Sequence, residues 1–391
     1  MKHYLYFLCL LCLCLPLLGS DCSESISNVV EGTQLVVISL GDSYASGEGN
    51  PDGTTSDGMG RWLLNSDVDS DPCHRSFNNS HHIAMETIEV LWKEKWGFDD
   101  ESQSVVYRNF ACAGATIDSG LISPQFLQPV PCLQTSPEVY NSFSQVDAAE
   151  EWLNSETSVE RIDVVLLSIG GNDVGFADIV SNGLKPFLPP PPAFPNGVMT
   201  NDQLSNLVRN GEYPDGITRR AVGLRQLSEH LTRAVAEIKE RLNPKWIVIV
   251  GYPDGVRNAQ GIVCNKWNDD FYVGTDMMQC VVPYSIPIGA SAKEVTDDEN
   301  GWGLLNVLFP LNDTLERVAW ANSEVVFVDT ENALLSHPYC DSHRWINSLE
   351  DSFNKQGDVN GAMHPNREGH EAVAHRIVKE LSELLDLPEG S

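Results

Sequence analysis

Ser43 and His364 are the residues of this 391-residue chain best suited to covalent chemistry. A serine hydroxyl is a weak nucleophile at neutral pH and attacks a carbonyl only when a base stands within hydrogen-bond reach. Ser43 follows an apolar run, in Gly41-Asp-Ser43. Two further strand-like runs end at Cys112-Ala-Gly114 and at Gly170-Gly-Asn172-Asp173, and His364 stands in Met363-His364-Pro365 ahead of a terminal helical pattern. Singly, each cluster has a plainer reading. A serine after Gly-Asp caps a turn or helix, Gly-Gly-Asn-Asp makes a tight loop, and a histidine before proline belongs to a loop. Their shared placement is what matters, because open parallel sheets form sites where strands end at their carboxyl edges.

Placing those clusters requires a sheet. Residues 34–40 form a β-branched run that stops at Gly41, and residues 104–107 read as a short second strand. Residues 163–169, 246–250 and 324–329 are further apolar runs, two of them ending at glycine. Helical spacing marks residues 81–96, 220–242, 304–320 and 368–385. Continuous apolar strands alternating with helices predict a parallel sheet covered on both faces. Residues 50–78 read as a long loop. Residues 183–218, with Pro189 to Pro192, and residues 252–300, with Cys264 and Cys280, read as irregular insertions. Connections of that length are usually functional or ordered by disulfides. No repeat or linker divides the chain, so one domain is expected over residues 21–391.

Taken together and in order, Gly41-Asp-Ser-Tyr-Ala-Ser-Gly-Glu48, Gly114, Gly170-Gly-Asn-Asp173 and His364-Pro365 resemble the four signature blocks of the SGNH branch of GDSL esterases and lipases. The resemblance spans about residues 34–385. Cys73-His-Arg-Ser76 and Ala111-Cys-Ala-Gly-Ala-Thr116 are also similar to the secreted actinomycete esterases of that group. It implies a three-layer α/β/α, flavodoxin-like fold with a mostly parallel sheet and long disulfide-bearing loops. It implies Ser43 as nucleophile and His364 as the base that returns the proton to the leaving alcohol. The oxyanion hole it implies is the backbone N–H of Ser43, the backbone N–H of Gly114 and the side-chain amide of Asn172. Attack on an ester builds charge on the former carbonyl oxygen, so donors must be fixed where that charge appears. A glycine at 114 lets the backbone come close to substrate.

One position departs from the pattern. Most members carry an aspartate three residues before the histidine, where this chain has Gly361. Asp358 is the nearest acid and is the candidate third catalytic residue; a main-chain carbonyl is the alternative, as in members that work as a Ser–His dyad. Asp173 is expected to brace the Gly-Gly-Asn loop. No cofactor and no metal are expected: Asp67, Asp69 and Asp71 alternate as in a calcium loop, but the glycine and distal glutamate of an EF-hand are missing.

The expected substrate is an acyl-lipid or phospholipid ester, since apolar Phe187, Leu188 and Phe194 follow Asn172 and are placed to overhang the site. A polysaccharide deacetylase is the rival enzyme, with Trp62, Trp267 and Trp302 as candidates to stack on sugars. A non-catalytic binding protein is the rival of another class, and loss of Ser43, Asn172 or His364 would signal it; all three are present. The formal charge of −30 repels phosphate backbones and disfavours nucleic-acid binding. Contact with lipid surfaces is expected to be transient, and the protein a monomer. Residues 1–20, with Lys2, a run from Leu5 to Leu18 and then Gly19-Ser20, read as a cleaved secretory peptide, too short for the roughly 20 residues that span a bilayer. Seven cysteines remain beyond it, none in a CxxC pair. In an exported chain they are disulfide candidates. Cys73 with Cys112, and Cys340 with Cys264 or Cys280, are the candidate pairs, and Cys22 is the spare.

Overall fold

The computed structural model describes residues 34–54, 60–62, 71–99, 104–127, 139–141, 143–156, 159–176, 179, 201–212, 221–264 and 297–388. The leader, Cys22, Asp67, Asp69, Cys132, the stretch with Phe187, Leu188, Pro189 to Pro192 and Phe194, and the stretch with Trp267 and Cys280 lie outside the described residues.

The strands are β1 (Leu35–Gly41), β2 (Gly53–Thr54), β3 (Gly60–Arg61), β4 (Val105–Asn109), β5 (Gln125–Leu127), β6 (Val139–Asn141), β7 (Val164–Ser168), β8 (Trp246–Val250) and β9 (Val325–Val328). Five of them make one sheet in the order β4-β1-β7-β8-β9. Every neighbouring pair in it is parallel. β2 with β3 and β5 with β6 form two small antiparallel pairs. The helices are α1 (Ser43–Ser46), α2 (Ser80–Trp96), α3 (Gln145–Ser155), α4 (Asn201–Asn210), α5 (Leu224–Leu242), α6 (Asp297–Gly303), α7 (Phe309–Trp320), α8 (Leu349–Gln356) and α9 (Arg367–Leu384).

The pleat explains why the strands are apolar throughout. Side chains alternate across a strand, and both faces of this sheet are covered. Val36, Ile38 and Leu40 of β1 pack with Val165 and Leu167 of β7 against α3, α5 and α7. Leu35 and Val37 pack with Val164, Leu166 and Val248 against α2 and α9. Each fully buried Val, Leu or Ile contributes about 1.5–3 kcal/mol relative to exposure, so neither layer can be peeled off without losing much of the fold. α2 is capped by the Asn79 side chain, which accepts from His82 N, and ends at Gly97. α9 packs along α2, and Ser80 N donates to Nδ1 of buried His370 across that contact at 3.2 Å.

The three-layer parallel architecture is the expected one. Two stretches carry more regular structure than their composition announced, and the start of the expected 304–320 helix takes a different form. β2 and β3 lie in the 50–78 loop, α4 in the 183–218 insertion, and a π-helical turn, Leu304–Leu308, precedes α7. Cys73 is bonded to Cys112 and Cys264 to Cys340. Closing loops of 39 and 76 residues removes unfolded-state entropy worth roughly 4 kcal/mol each in the chain-entropy account.

Candidate active site

The strand order creates the site. In sequence order the five main strands run second-first-third-fourth-fifth across the sheet, so the chain leaves β1 to one side for β4 and returns to its other side for β7. The carboxyl edge at such a reversal is where open α/β sheets bind ligands. Ser43 follows β1, Gly114 follows β4 and Asn172 follows β7. The hydrogen bonds there are tight. Asp42 N donates to Ser168 O at 2.9 Å and Cys112 N to Gly41 O at 3.1 Å. Gly41 has φ +142°, and a Cβ there would stand 2.0 Å from Ser168 O. Only glycine lets β1 and β7 converge this closely before the chain turns.

That turn starts α1. Asp42 caps it, its carboxylate accepting from Tyr44 N at 3.1 Å. Ser43 is the first helical residue, and the first N–H groups of a helix have no internal partner. Gly114 has φ +77°, and the nearest atom to a Cβ built on it is Gln125 Nε2 at 3.7 Å. Neither the Ser43 nor the Gly114 N–H bonds to another described residue. Asn172 opens a 3-10 turn, Asn172–Val174, and its Nδ2 donates to Ala115 O at 3.0 Å in the Gly114 loop.

His364 reaches Ser43 across 321 residues of sequence. Its Nε2 lies 2.8 Å from Ser43 Oγ, and its Nδ1 faces the Ala362 carbonyl at 3.2 Å. A carbonyl only accepts, so Nδ1 carries the proton and Nε2 is left to accept from the serine hydroxyl. Burial holds the imidazole pKa below its ordinary 6.5 against the opposing pull of Glu48, so at neutral pH the ring is a base. A hydroxyl aimed at a neutral imidazole is the arrangement that can deliver an oxygen nucleophile.

Asp358, the acid expected to serve His364, bonds within its own loop in this structure. Its Oδ1 accepts from Gln356 Nε2 at 2.5 Å and from Asn360 N at 2.8 Å. The carboxyl is spent on its own loop, and the position it would take at His364 Nδ1 is filled by the Ala362 carbonyl. The alternative of a main-chain orienting group is the one the geometry adopts.

Asp173 ties the Gly-Gly-Asn turn to the chain that follows Gly114 and to residues 222–223. Both its carboxyl oxygens accept from Ile117 N, at 3.1 and 3.2 Å, and its own carbonyl accepts from Val222 N and Gly223 N. Burial raises its pKa to about 8. Asp71, the described member of the alternating aspartates, accepts from Cys73 N and pairs with Arg75. Trp62 is buried and stacks on His74 at 4.4 Å between centroids, a packing role.

Several residues that hold the site carried no sequence signal. Gln145 clamps Gly41 from both sides, with Oε1 accepting from Gly41 N and Nε2 donating to Gly41 O, each at 2.7 Å. Tyr252 donates to Asp42 Oδ2 at 2.5 Å and accepts from Gly171 N at 2.9 Å, tying the Ser43 turn to the Asn172 turn. Burial lifts the Asp42 pKa to about 7. Asn347 holds the His364 segment: Met363 N donates to its carbonyl at 3.0 Å, its own N donates to His364 O at 2.9 Å, and its Nδ2 donates to Gly49 O at 3.0 Å. Tyr44 donates to Met363 O at 2.9 Å and lies 4.9 Å from the His364 ring. Phe176 stands edge-on to the same imidazole at 6.4 Å.

An ion pair between half-buried His74 and buried Glu48 acts electrostatically on His364. His74 Nδ1 is 2.7 Å from Glu48 Oε2, and Gln356 Nε2 donates to Glu48 Oε1 at 2.6 Å. Burial by itself would depress His74, but the facing carboxylate wins and raises it to about 9. Glu48 is the charge whose attraction favours a protonated His364.

No protein-family model matches this chain, and no curated protein matches it significantly. Solved structures similar to it include an extracellular lipase from Streptomyces rimosus, with a TM-score of 0.45 and 15% identity over 89% of this chain and 99% of that one. A phospholipase A1 from Streptomyces albidoflavus is similar with a TM-score of 0.45 and 16% identity, over 89% and 99% of the two chains. A family 2 carbohydrate esterase from Corynascus thermopiles has a TM-score of 0.41 and 12% identity, over 91% of this chain and 68% of its own.

Proposed function

We propose that this chain is a serine hydrolase that cleaves carboxylic esters outside the cell. The observation that carries the reading is the Ser43 Oγ–His364 Nε2 hydrogen bond of 2.8 Å. In this reading Ser43 Oγ attacks the ester carbonyl while His364 Nε2 takes its proton. The oxyanion sits among the N–H groups of Ser43 and Gly114 and the Asn172 amide. His364 then protonates the leaving alcohol, an acyl-serine remains, and water activated by the same imidazole releases the acid. No cofactor takes part.

The Ala362 carbonyl orients the imidazole but stabilises the imidazolium less than a carboxylate would; Glu48 favours the imidazolium, an effect partly offset by the His74 cation paired with it. Asp358 takes no part in the proton transfer. Asp358→Asn is therefore expected to cost less than about tenfold in kcat, where loss of a triad aspartate costs on the order of 10⁴-fold. Steady-state hydrolysis of p-nitrophenyl butyrate measures this, and a loss of several orders of magnitude would restore Asp358 to the site.

The substrate in this reading is an acyl lipid or phospholipid. Tyr44, Phe176 and Tyr252 form an aromatic group beside His364, with Tyr44–Phe176 and Tyr44–Tyr252 centroids 6.1 and 5.1 Å apart. Tyr44 and Phe176, part-exposed there, offer apolar surface that an acyl chain could lie against. The two disulfides and the apolar leader support export. A p-nitrophenyl ester panel on the purified chain tests the substrate class. Rates should rise from acetyl to longer acyl groups, and a preference confined to acetyl would point to a deacetylase instead. A fluorophosphonate probe should label the wild type; absence of both labelling and hydrolysis would leave a binding protein.

A further inference from the structure

Gln125 is a buried amide that neither the signature blocks nor the reaction accounts for. It stands on β5 with 4% of its surface exposed, beside the loop that carries Gly114. Its Nε2 donates to Ala113 O at 2.8 Å, and its Oε1 is buried with no partner among the described residues. An orphaned buried acceptor costs stability. Turning the amide over would place oxygen against the Ala113 carbonyl oxygen, so the donor end must face the loop.

The bond bears on the site through peptide geometry. The Ala113 carbonyl and the Gly114 N–H belong to one rigid trans plane and point in opposite directions. Anchoring that carbonyl therefore aims that N–H. The plane needs an anchor because Gly114, at φ +77°, has no Cβ to limit its turning. Neighbouring peptides are held otherwise: Ala113 N donates to Cys73 O and Ala115 N to Cys112 O, both at 3.1 Å. Among the described residues, Gln125 supplies the side-chain bond to the 113–114 plane itself. Its donation also polarises the peptide and makes the N–H opposite a better donor.

We propose that Gln125 is a positioning residue that aims the Gly114 N–H at the oxyanion and strengthens it as a donor. The assignment rests on the hydrolase reading above, in which Gly114 serves the oxyanion hole. It confers transition-state stabilisation without touching substrate, so its loss should appear in kcat and leave KM almost alone.

The test uses the full chain with Gln125→Ala and Gln125→Met, the second keeping the volume while deleting the donor. Hydrolysis of p-nitrophenyl butyrate gives kcat and KM. A trifluoromethyl ketone of matching chain length, which binds as a tetrahedral oxyanion, gives Ki. In both variants kcat should fall roughly 10- to 100-fold, less than the 10²–10³ for outright deletion of a donor. The ketone's Ki should rise by a similar factor, with KM within about twofold and the melting temperature near that of the wild type. An active wild type with kcat and Ki unchanged in the variants overturns the assignment alone. So does a fall in kcat without weaker ketone binding, or a Gln125→Met chain that does not fold, since either makes Gln125 a support of the fold. A wild-type chain that neither hydrolyses the ester nor binds the ketone overturns the hydrolase reading, and this assignment with it.

Discussion

Ser43→Ala is expected to reduce ester turnover on the order of 10⁶-fold and to abolish fluorophosphonate labelling. Removing Oγ leaves His364 with no hydroxyl to deprotonate, and the residual rate then comes only from binding and the oxyanion donors. The exchange should spare the fold. Ser43 is half-buried, its side-chain bond runs to His364 alone among the described residues, and alanine suits the first turn of α1. Thermal unfolding of the variant alongside its kinetics checks both halves. Retention of more than about a hundredth of wild-type turnover by a folded Ser43→Ala chain would mean that another group carries the chemistry.

The next largest effect falls on the oxyanion. Asn172→Ala should lower kcat by roughly 10²–10³, or about 2.7–4 kcal/mol of barrier, with KM little changed. The reason for the split is that an amide aimed at developing charge contributes little before that charge exists. Asn172 Nδ2 also donates to Ala115 O in the resting site, so truncation releases one tie between the Asn172 and Gly114 turns. Asn172→Asp separates the two effects: it keeps the volume but places negative charge beside the oxyanion. It should be at least as inactive as the alanine variant. Turnover near the wild-type level in either variant would remove Asn172 from the oxyanion hole.

The elements that carry the site were largely legible because a doubly covered parallel strand has an unmistakable composition. LVVISL in β1, VVLLS in β7 and WIVIV in β8 have no polar face to confuse the reading. Glycine stops marked the ends of all three runs, and those ends are where Ser43 and Asn172 stand. The pairings of Cys73 and of Cys340 were within the candidate set. What escaped the sequence is held by amides and hydroxyls reaching backbone atoms far along the chain. Gln145 bonds Gly41 across 104 residues, Tyr252 bonds Asp42 across 210, and Asn347 bonds Gly49 across 298. Such residues have no period and no local partner, so nothing near them announces the role.

Asp358 drew attention for the opposite reason. A local rule of spacing was available, and the loop after α8 obeyed different forces. Gln356 and Asn360 satisfy that carboxyl within its own turn, while a φ of +65° at Met363 lets the chain double back so that Ala362 presents its carbonyl to His364. The small insertions α4 and β2–β3 were missed because short segments rich in Asn, Asp and Gly take their structure from what they pack against.

The packing of α9 on α2 has a consequence for how the molecule is made. In the proposed reaction the nucleophile and oxyanion donors all stand before residue 173, whereas the base sits at the threshold of the last helix, just ahead of its Asn366 cap. A growing chain thus acquires a serine and a cradle for charge long before it acquires anything able to take the serine's proton. In that reading hydrolytic competence requires His364, so a chain interrupted anywhere before it is expected to stay chemically silent however well its sheet has formed.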